Sequence, residues 1–130
     1  MWQAYLAVVL FGGFGCLARM LIAVWCLEKF GPAFPYGTLA VNLLGSFLIG
    51  IFGALTRPET GWTMPPLMRE GVMIGLLGGL TTFSSFALQT MTLLQEGRWP
   101  VAGLNVLVSV TGCLLVVAVG YWLTTLIVRG

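Results

Sequence analysis

The chain has 130 residues, 58% of them hydrophobic and 8% charged, with 18 glycines and no histidine, and a mean hydropathy of +1.00. A charged fraction about a third of that of a typical soluble domain excludes a water-soluble globule, and a formal net charge of +2 is too small for a nucleic-acid-binding surface. With neither His nor Asp there is no serine triad, imidazole-ligated zinc site or aspartate pair.

A hydrocarbon core roughly 30 Å thick is crossed by about 20 apolar helical residues. Four stretches meet that requirement, at about 5–27, 38–55, 67–94 and 101–128. The chain therefore reads as an all-α integral membrane protein, a single membrane domain over residues 1–130. The connections hold the charges and helix breakers: Glu28-Lys29-Phe30-Gly31-Pro32, Arg57-Pro58-Glu59-Thr60-Gly61 and Gln95-Glu96-Gly97-Arg98. Pro66 and Pro100 fall where a first helical turn tolerates proline, because the missing N–H has no intrahelical partner there. Trp2, Trp25, Trp62, Trp99 and Trp122 all lie at or near expected span ends, where an amphipathic indole prefers the interface. Met1-Trp2-Gln3 lacks a basic leader, so no cleavable signal is expected. Cys16, Cys26 and Cys113 are odd in number and lie in or near apolar helices, and read as small packing residues.

Four spans put Arg57, Arg69 and Arg129 on one side and Lys29 and Arg98 on the other. So small a bias leaves two orientations open. Either lipid and insertion context fix one topology, or each copy inserts either way and an antiparallel homodimer forms.

All four acidic residues, Glu28, Glu59, Glu70 and Glu96, lie in loops or at helix ends. A proton-coupled exporter of this size needs a carboxylate near the midplane, so that class is disfavoured. Arg19 lies within the first span and either snorkels to the interface or lines a water-filled vestibule. Asn42 in the second span is either an interhelical hydrogen-bonding residue or an amide donor to a passing anion. Ser46, Gly50 and Ala54, and Gly71, Gly75 and Gly79, are small-residue seams for which close helix packing suffices. In the third span, Gly75-Leu76-Leu77-Gly78-Gly79-Leu80-Thr81-Thr82-Phe83-Ser84-Ser85-Phe86 is poor helix. It predicts a helix broken near the midplane, where exposed backbone must line a cavity, coordinate an ion or be buried in protein. Freed carbonyls of Gly78 and Thr81 would suit a cation, and freed N–H groups an anion. Phe83 and Phe86 share a helical face, either as packing or with positive ring edges toward an anion. Asn105, Ser109 and Gly112 form a polar stripe on the fourth span.

These residues resemble the Fluc (CrcB) family of fluoride channels over essentially the whole length. The match rests on Gly12-Gly13-x-Gly15-x-x-x-Arg19, on Gly37-Thr38-Leu39-x-Val41-Asn42-x-x-Gly45-x-Phe47, and on Gly75-x-x-Gly78-Gly79-x-Thr81-Thr82-Phe83-Ser84-Ser85-Phe86. The resemblance implies a dual-topology antiparallel homodimer with two fluoride pores. It implies a central structural sodium ion, not transported, on the Gly78 and Thr81 carbonyls of both subunits. Phe83 and Phe86 would contact fluoride through ring edges, Asn42 would hydrogen-bond it, and Ser84, Ser85 and Ser109 would continue a polar track. Arg19 matches the family's vestibule arginine. Cys113, one turn beyond Ser109, is a poorer donor than a hydroxyl and departs from such a track. The expected function is passive export of cytoplasmic fluoride through a multi-pass protein of a microbial plasma membrane (the cell inner membrane), with lipid and a second copy as partners. The alternatives are a small proton-coupled multidrug exporter and a non-transporting membrane scaffold. An enzyme is not expected, since no His, Asp or intramembrane Lys is present to activate a hydroxyl.

Overall fold

A computed structural model describes residues 1–62 and 64–129; the Arg129 side chain, counted among the loop charges above, lies outside the described part. The chain folds as α1 (Trp2–Phe30), α2 (Tyr36–Leu55), a short 3₁₀ turn (Pro58–Thr60), α3 (Pro66–Arg69), a π-helix (Glu70–Leu76), α4 (Leu77–Leu80), α5 (Phe83–Gln95) and α6 (Trp99–Arg129). Four helical stretches, Trp2–Phe30, Tyr36–Leu55, Pro66–Gln95 and Trp99–Val128, are long and apolar enough to cross a membrane.

The first stretch runs three residues past each expected apolar limit, at its C-terminal end because the charged flank continues the helix, and the other three begin or end within two residues of theirs. Glu28 and Lys29 lie in the last turn of α1, which stops only at Gly31. There φ is +74°, and the Gly31 N–H closes on the Leu27 carbonyl at 2.9 Å. A residue with a Cβ is disfavoured in that left-handed conformation. Pro66 opens α3 and Pro100 is the second residue of α6, both in the first turn. All five tryptophans are exposed, as interfacial anchoring requires.

Packing follows glycine. In a membrane no water is expelled between helices, so close backbone approach and van der Waals contact carry association. α1 lies along the π-helix and α4, with Gly75 over the Val8 carbonyl and Gly79 over that of Gly12. A Cβ at these glycines would sit 2.9 and 2.5 Å from those oxygens. Gly15 faces back onto the Leu76 carbonyl. α2 packs most extensively on α6 through Gly50 against Val117 and Gly120 against Phe47. Val41, Leu77 and Leu80 form the buried centre, surrounded by Ala18, Ile22, Leu48, Ile49 and Phe52.

The cysteines divide. Cys26 is buried and Cys113 half-buried, but Cys16 is exposed, so its reading as a packing residue does not hold. Gly15 is buried in that contact, and one residue further along an α-helix turns by about 100°, which carries the Cys16 thiol outward.

Candidate functional site

The site is built where the third stretch leaves helical geometry. Thr81 has φ −85° and ψ 155°, and Thr82 has φ −152° and ψ 111°, both extended. Two weak helix formers, Gly78 and Gly79, precede two β-branched residues, so little local propensity opposes the change. The Thr81 N–H and its own Oγ1 both donate to the Leu77 carbonyl, at 3.0 and 2.9 Å, and close the last turn of α4.

An extended residue presents its N–H and C=O on the same side, and a primary amide can satisfy both. Asn42 does so from α2. Its Oδ1 accepts from the Thr82 N–H at 2.7 Å, and its Nδ2 donates to the Thr82 carbonyl at 3.1 Å. The Thr82 hydroxyl then caps α5, accepting from the Ser85 N–H at 3.2 Å and donating to Ser85 Oγ at 3.0 Å. Ser84 Oγ lies 3.3 Å from the same hydroxyl.

These bonds redistribute two helical donors. In a continuous α-helix the Thr82 N–H would bond to the Gly78 carbonyl and the Ser85 N–H to that of Thr81. Here Asn42 Oδ1 and Thr82 Oγ1 take them, and each carbonyl loses its i+4 donor.

Beside this segment lies a cavity of about 470 Å³. Asn42, Gly45 and Ser46 line it from α2; Gly78, Thr81, Thr82, Phe83 and Phe86 from the third stretch; and Ser109 and Cys113 from α6. It thus brings together Asn42, Gly78, Thr81, Phe83, Phe86 and Ser109. None of its lining residues is ionisable except the Cys113 thiol. Phe83 is 77% exposed and Phe86 8%, with ring centroids 5.3 Å apart and planes at 53°. A chain of side chains leads from this turn into α6. Thr90 Oγ1 donates to the Phe86 carbonyl at 2.8 Å, Asn105 Nδ2 to Thr90 Oγ1 at 2.9 Å, and Ser109 Oγ to Asn105 Oδ1 at 3.4 Å.

Three expected residues are not on this cavity. Ser84 and Ser85 sit beside it, engaged with Thr82. Arg19 stays apart on α1, its guanidinium 3.5 Å from Cys16 Sγ. Sequence reasoning missed the Thr82 hydroxyl and Thr90. The first was recoverable as a hydroxyl just ahead of a helix start; the second follows Phe86 by one turn, but its partner on α6 is visible only in three dimensions.

The principal buttress outside the spans is Arg57. Its Nη1 donates to the Tyr121 hydroxyl at 2.7 Å, and its Nε lies 3.2 Å from Glu59. The hydrogen bond to Tyr121, then the Glu59 charge, hold this guanidinium above its ordinary pKa. Arg98 ties the third connection to the first by donating to the Ala33 carbonyl.

Residues 6–121 match the family described as CrcB-like protein, Camphor Resistance (CrcB). The chain is 45% identical over 117 residues to the "Fluoride-specific ion channel FluC" of Opitutus terrae, covering 90% of this chain and 89% of that one. It is 49% identical over 108 residues to the protein of the same name from Geobacter metallireducens, covering 83% and 86%. For the one from Shewanella frigidimarina the figures are 48% over 115 residues, 88% and 90%. With this match running from the first helix into the last, across every residue that lines the cavity, the chain belongs to the CrcB-like family.

Proposed function

We propose that this multi-pass membrane protein is a passive, fluoride-selective ion channel that lowers cytoplasmic fluoride. The observation that carries the reading is a mainly apolar cavity into which a few polar groups converge, the Asn42–Thr82 pairing and Ser109, beside the Phe83–Phe86 pair, in a chain whose relatives are fluoride channels. Fluoride is small and strongly hydrated, so a path that dehydrates it must offer donors at short range. The second N–H of Asn42 Nδ2, the serine hydroxyls and the positive ring edges of Phe83 and Phe86 are the groups available. The inside-negative potential then supplies roughly 2.3 kcal/mol per charge per 100 mV for efflux, and the chemistry needs neither nucleotide nor proton carrier. None of the glutamates lines the cavity, so proton-coupled drug export has no support here.

The reading includes an antiparallel homodimer of two oppositely inserted copies in the cell inner membrane, with the Thr81–Thr82 interruption near the midplane. Phe83 is a large apolar ring left 77% exposed beside the cavity, and a Cβ on Gly78 would meet nothing within 4 Å. A second copy gives both features a purpose. The near balance of loop charge is compatible with either insertion. In that dimer Arg19 lines the vestibule and attracts anions.

A structural sodium ion belongs to the same reading. The Gly78 and Thr81 carbonyls have lost their helical donors to Asn42 and Thr82, and unwound backbone carbonyls are ligands that membrane proteins use for sodium. Two carbonyls from each copy would hold it; bound there, it would offset the dipoles of backbone oxygens drawn together at the interface. This chain's own residues do the rest: Asn42 and Thr82 set the backbone, and the phenylalanines and Ser109 line the anion's route.

The decisive measurement is fluoride efflux from liposomes containing the purified protein, followed with a fluoride electrode after a potassium ionophore is added. Rapid fluoride release with chloride retained is expected. Equal release of both ions, or none from demonstrably folded protein, would reject the assignment.

A further inference from the structure

We infer that Asn42 and the Thr82 hydroxyl are positioning residues for the cation site, acting through the backbone they hold. The inference rests on the sodium reading above. Each side chain takes a donor that a continuous helix would give to a carbonyl: Asn42 Oδ1 takes the Thr82 N–H from Gly78, and Thr82 Oγ1 takes the Ser85 N–H from Thr81. The two carbonyls are therefore released by two separate side-chain acceptors, and by the same two carbonyls the ion would be held.

Asn42 also aims one of them. The Thr81–Thr82 peptide is trans, and a planar trans peptide directs its C=O opposite to its N–H. The N–H points at Asn42 on α2, so the Thr81 carbonyl points away from α2. The Nδ2 bond to the Thr82 carbonyl fixes the next peptide as well, leaving little freedom for the plane to rotate. The amide that lines the anion cavity is thus the amide that prepares the cation ligands. Occupancy of the ion and geometry of the pore share one side chain.

The test uses the purified full-length dimer and reads its thermal stability across a sodium titration, with N-methylglucamine as the replacing cation at constant ionic strength. Wild-type protein is expected to gain stability with sodium. Asn42→Ala and Thr82→Ala are expected to need at least about tenfold more sodium for half of that gain. Thr82→Ser, which keeps the capping oxygen, should stay within about twofold of wild type. If both alanine variants lose stability equally in either cation and keep the wild-type sodium midpoint, their role is only structural and the inference falls. Should Asn42→Ala not fold, the Thr82→Ala and Thr82→Ser pair decides the matter alone. A wild-type protein indifferent to sodium would instead remove the cation reading itself, and this inference with it.

Discussion

Gly78 and Gly79 are adjacent and chemically identical, yet they belong to two different surfaces. Gly79 is set against α1, where a Cβ would meet the Gly12 carbonyl at 2.5 Å and the Cys16 nitrogen at 3.1 Å. At Gly78 the same Cβ would meet nothing within 4 Å. The first glycine is explained within one chain by close helix packing. The second is not, and it shares its face with exposed Phe83 and the cavity. One side of this segment builds the fold; the other carries two carbonyls that have lost their helical donors and a Phe83 ring left largely exposed. The lesson is that a glycine seam and a glycine opening cannot be separated by residue type, only by what each glycine faces.

The sharpest way to break that contrast is to add a side chain on each side. Gly79→Val should cost about 3 kcal/mol or more through overpacking against backbone that cannot retreat, seen as loss of a monodisperse detergent-extracted peak. Gly50→Val, facing the Val117 carbonyl, should behave alike. Gly78→Ala should leave the helical content of the chain intact, because nothing is displaced. Its effect should appear only as a weakened dimer in size-exclusion chromatography at dilution. A Gly78→Ala protein that unfolds as readily as Gly79→Val would abolish the distinction between the two faces.

Next in size are the rings. Phe83→Ile and Phe86→Ile should each cut fluoride efflux at least about tenfold, equivalent to roughly 1.4 kcal/mol in barrier, while the dimer remains intact. The exchange keeps an apolar side chain, so packing should suffer by less than about 1.5 kcal/mol. Wild-type efflux in both variants would reduce the pair to packing. Asn42→Asp separates the two tasks of that position. One carboxylate oxygen still accepts the Thr82 N–H, but the other faces the Thr82 carbonyl with no hydrogen to donate; the sodium midpoint should therefore rise less than in Asn42→Ala, whereas a negative charge on the anion route should lower efflux about tenfold.

Much of this was legible in composition and period. The helices long and apolar enough to cross a membrane follow from uninterrupted apolar runs between charged connections, and the exposed tryptophans mark their ends. What composition could not give is which side each polar residue serves. Phe83 and Phe86 are three apart on one helix, yet one is exposed and the other buried, because α5 meets α2 and α6 on only part of its circumference. Asn42 reads equally well as packing or as an anion ligand. Its pairing with the backbone of a residue forty positions away decides that it organises the interruption first. Arg19 shows the limit in the other direction. Within one chain its neighbour is Cys16, and the vestibule proposed for it needs a second copy.

A smaller effect is expected in the chain of hydrogen bonds beyond the rings. Ser109→Ala removes the donor to Asn105 Oδ1, a bond of 3.4 Å, in a residue 6% exposed. A net loss of about 1 kcal/mol or less in stability follows for one long neutral bond, with a several-fold fall in efflux if the hydroxyl also meets the ion. A fall in stability with unchanged efflux would remove Ser109 from the route and leave it as a structural link to Asn105.

The smallest effect should come from Arg57, the charged counterpart of that neutral chain. Its guanidinium is raised above its ordinary value by the Tyr121 hydrogen bond and by Glu59. A group whose folded pKa is raised contributes its full stabilisation below the unfolded value and loses it only as pH climbs through the folded one. Both values lie beyond the pH range a cell explores, so this contact gives no pH dependence between about pH 5 and 9. Tyr121→Phe should therefore leave efflux at wild-type level and shift thermal stability slightly and equally at pH 6 and pH 8. The Arg57–Glu59 pair is half in solvent, where salt screens it, so added potassium chloride should weaken it alike in wild type and in Tyr121→Phe and leave the difference between the two unchanged. A pH-dependent loss in Tyr121→Phe would mean that another group titrates at this end of α6 and that the buttress does more than tie the second connection to the bundle.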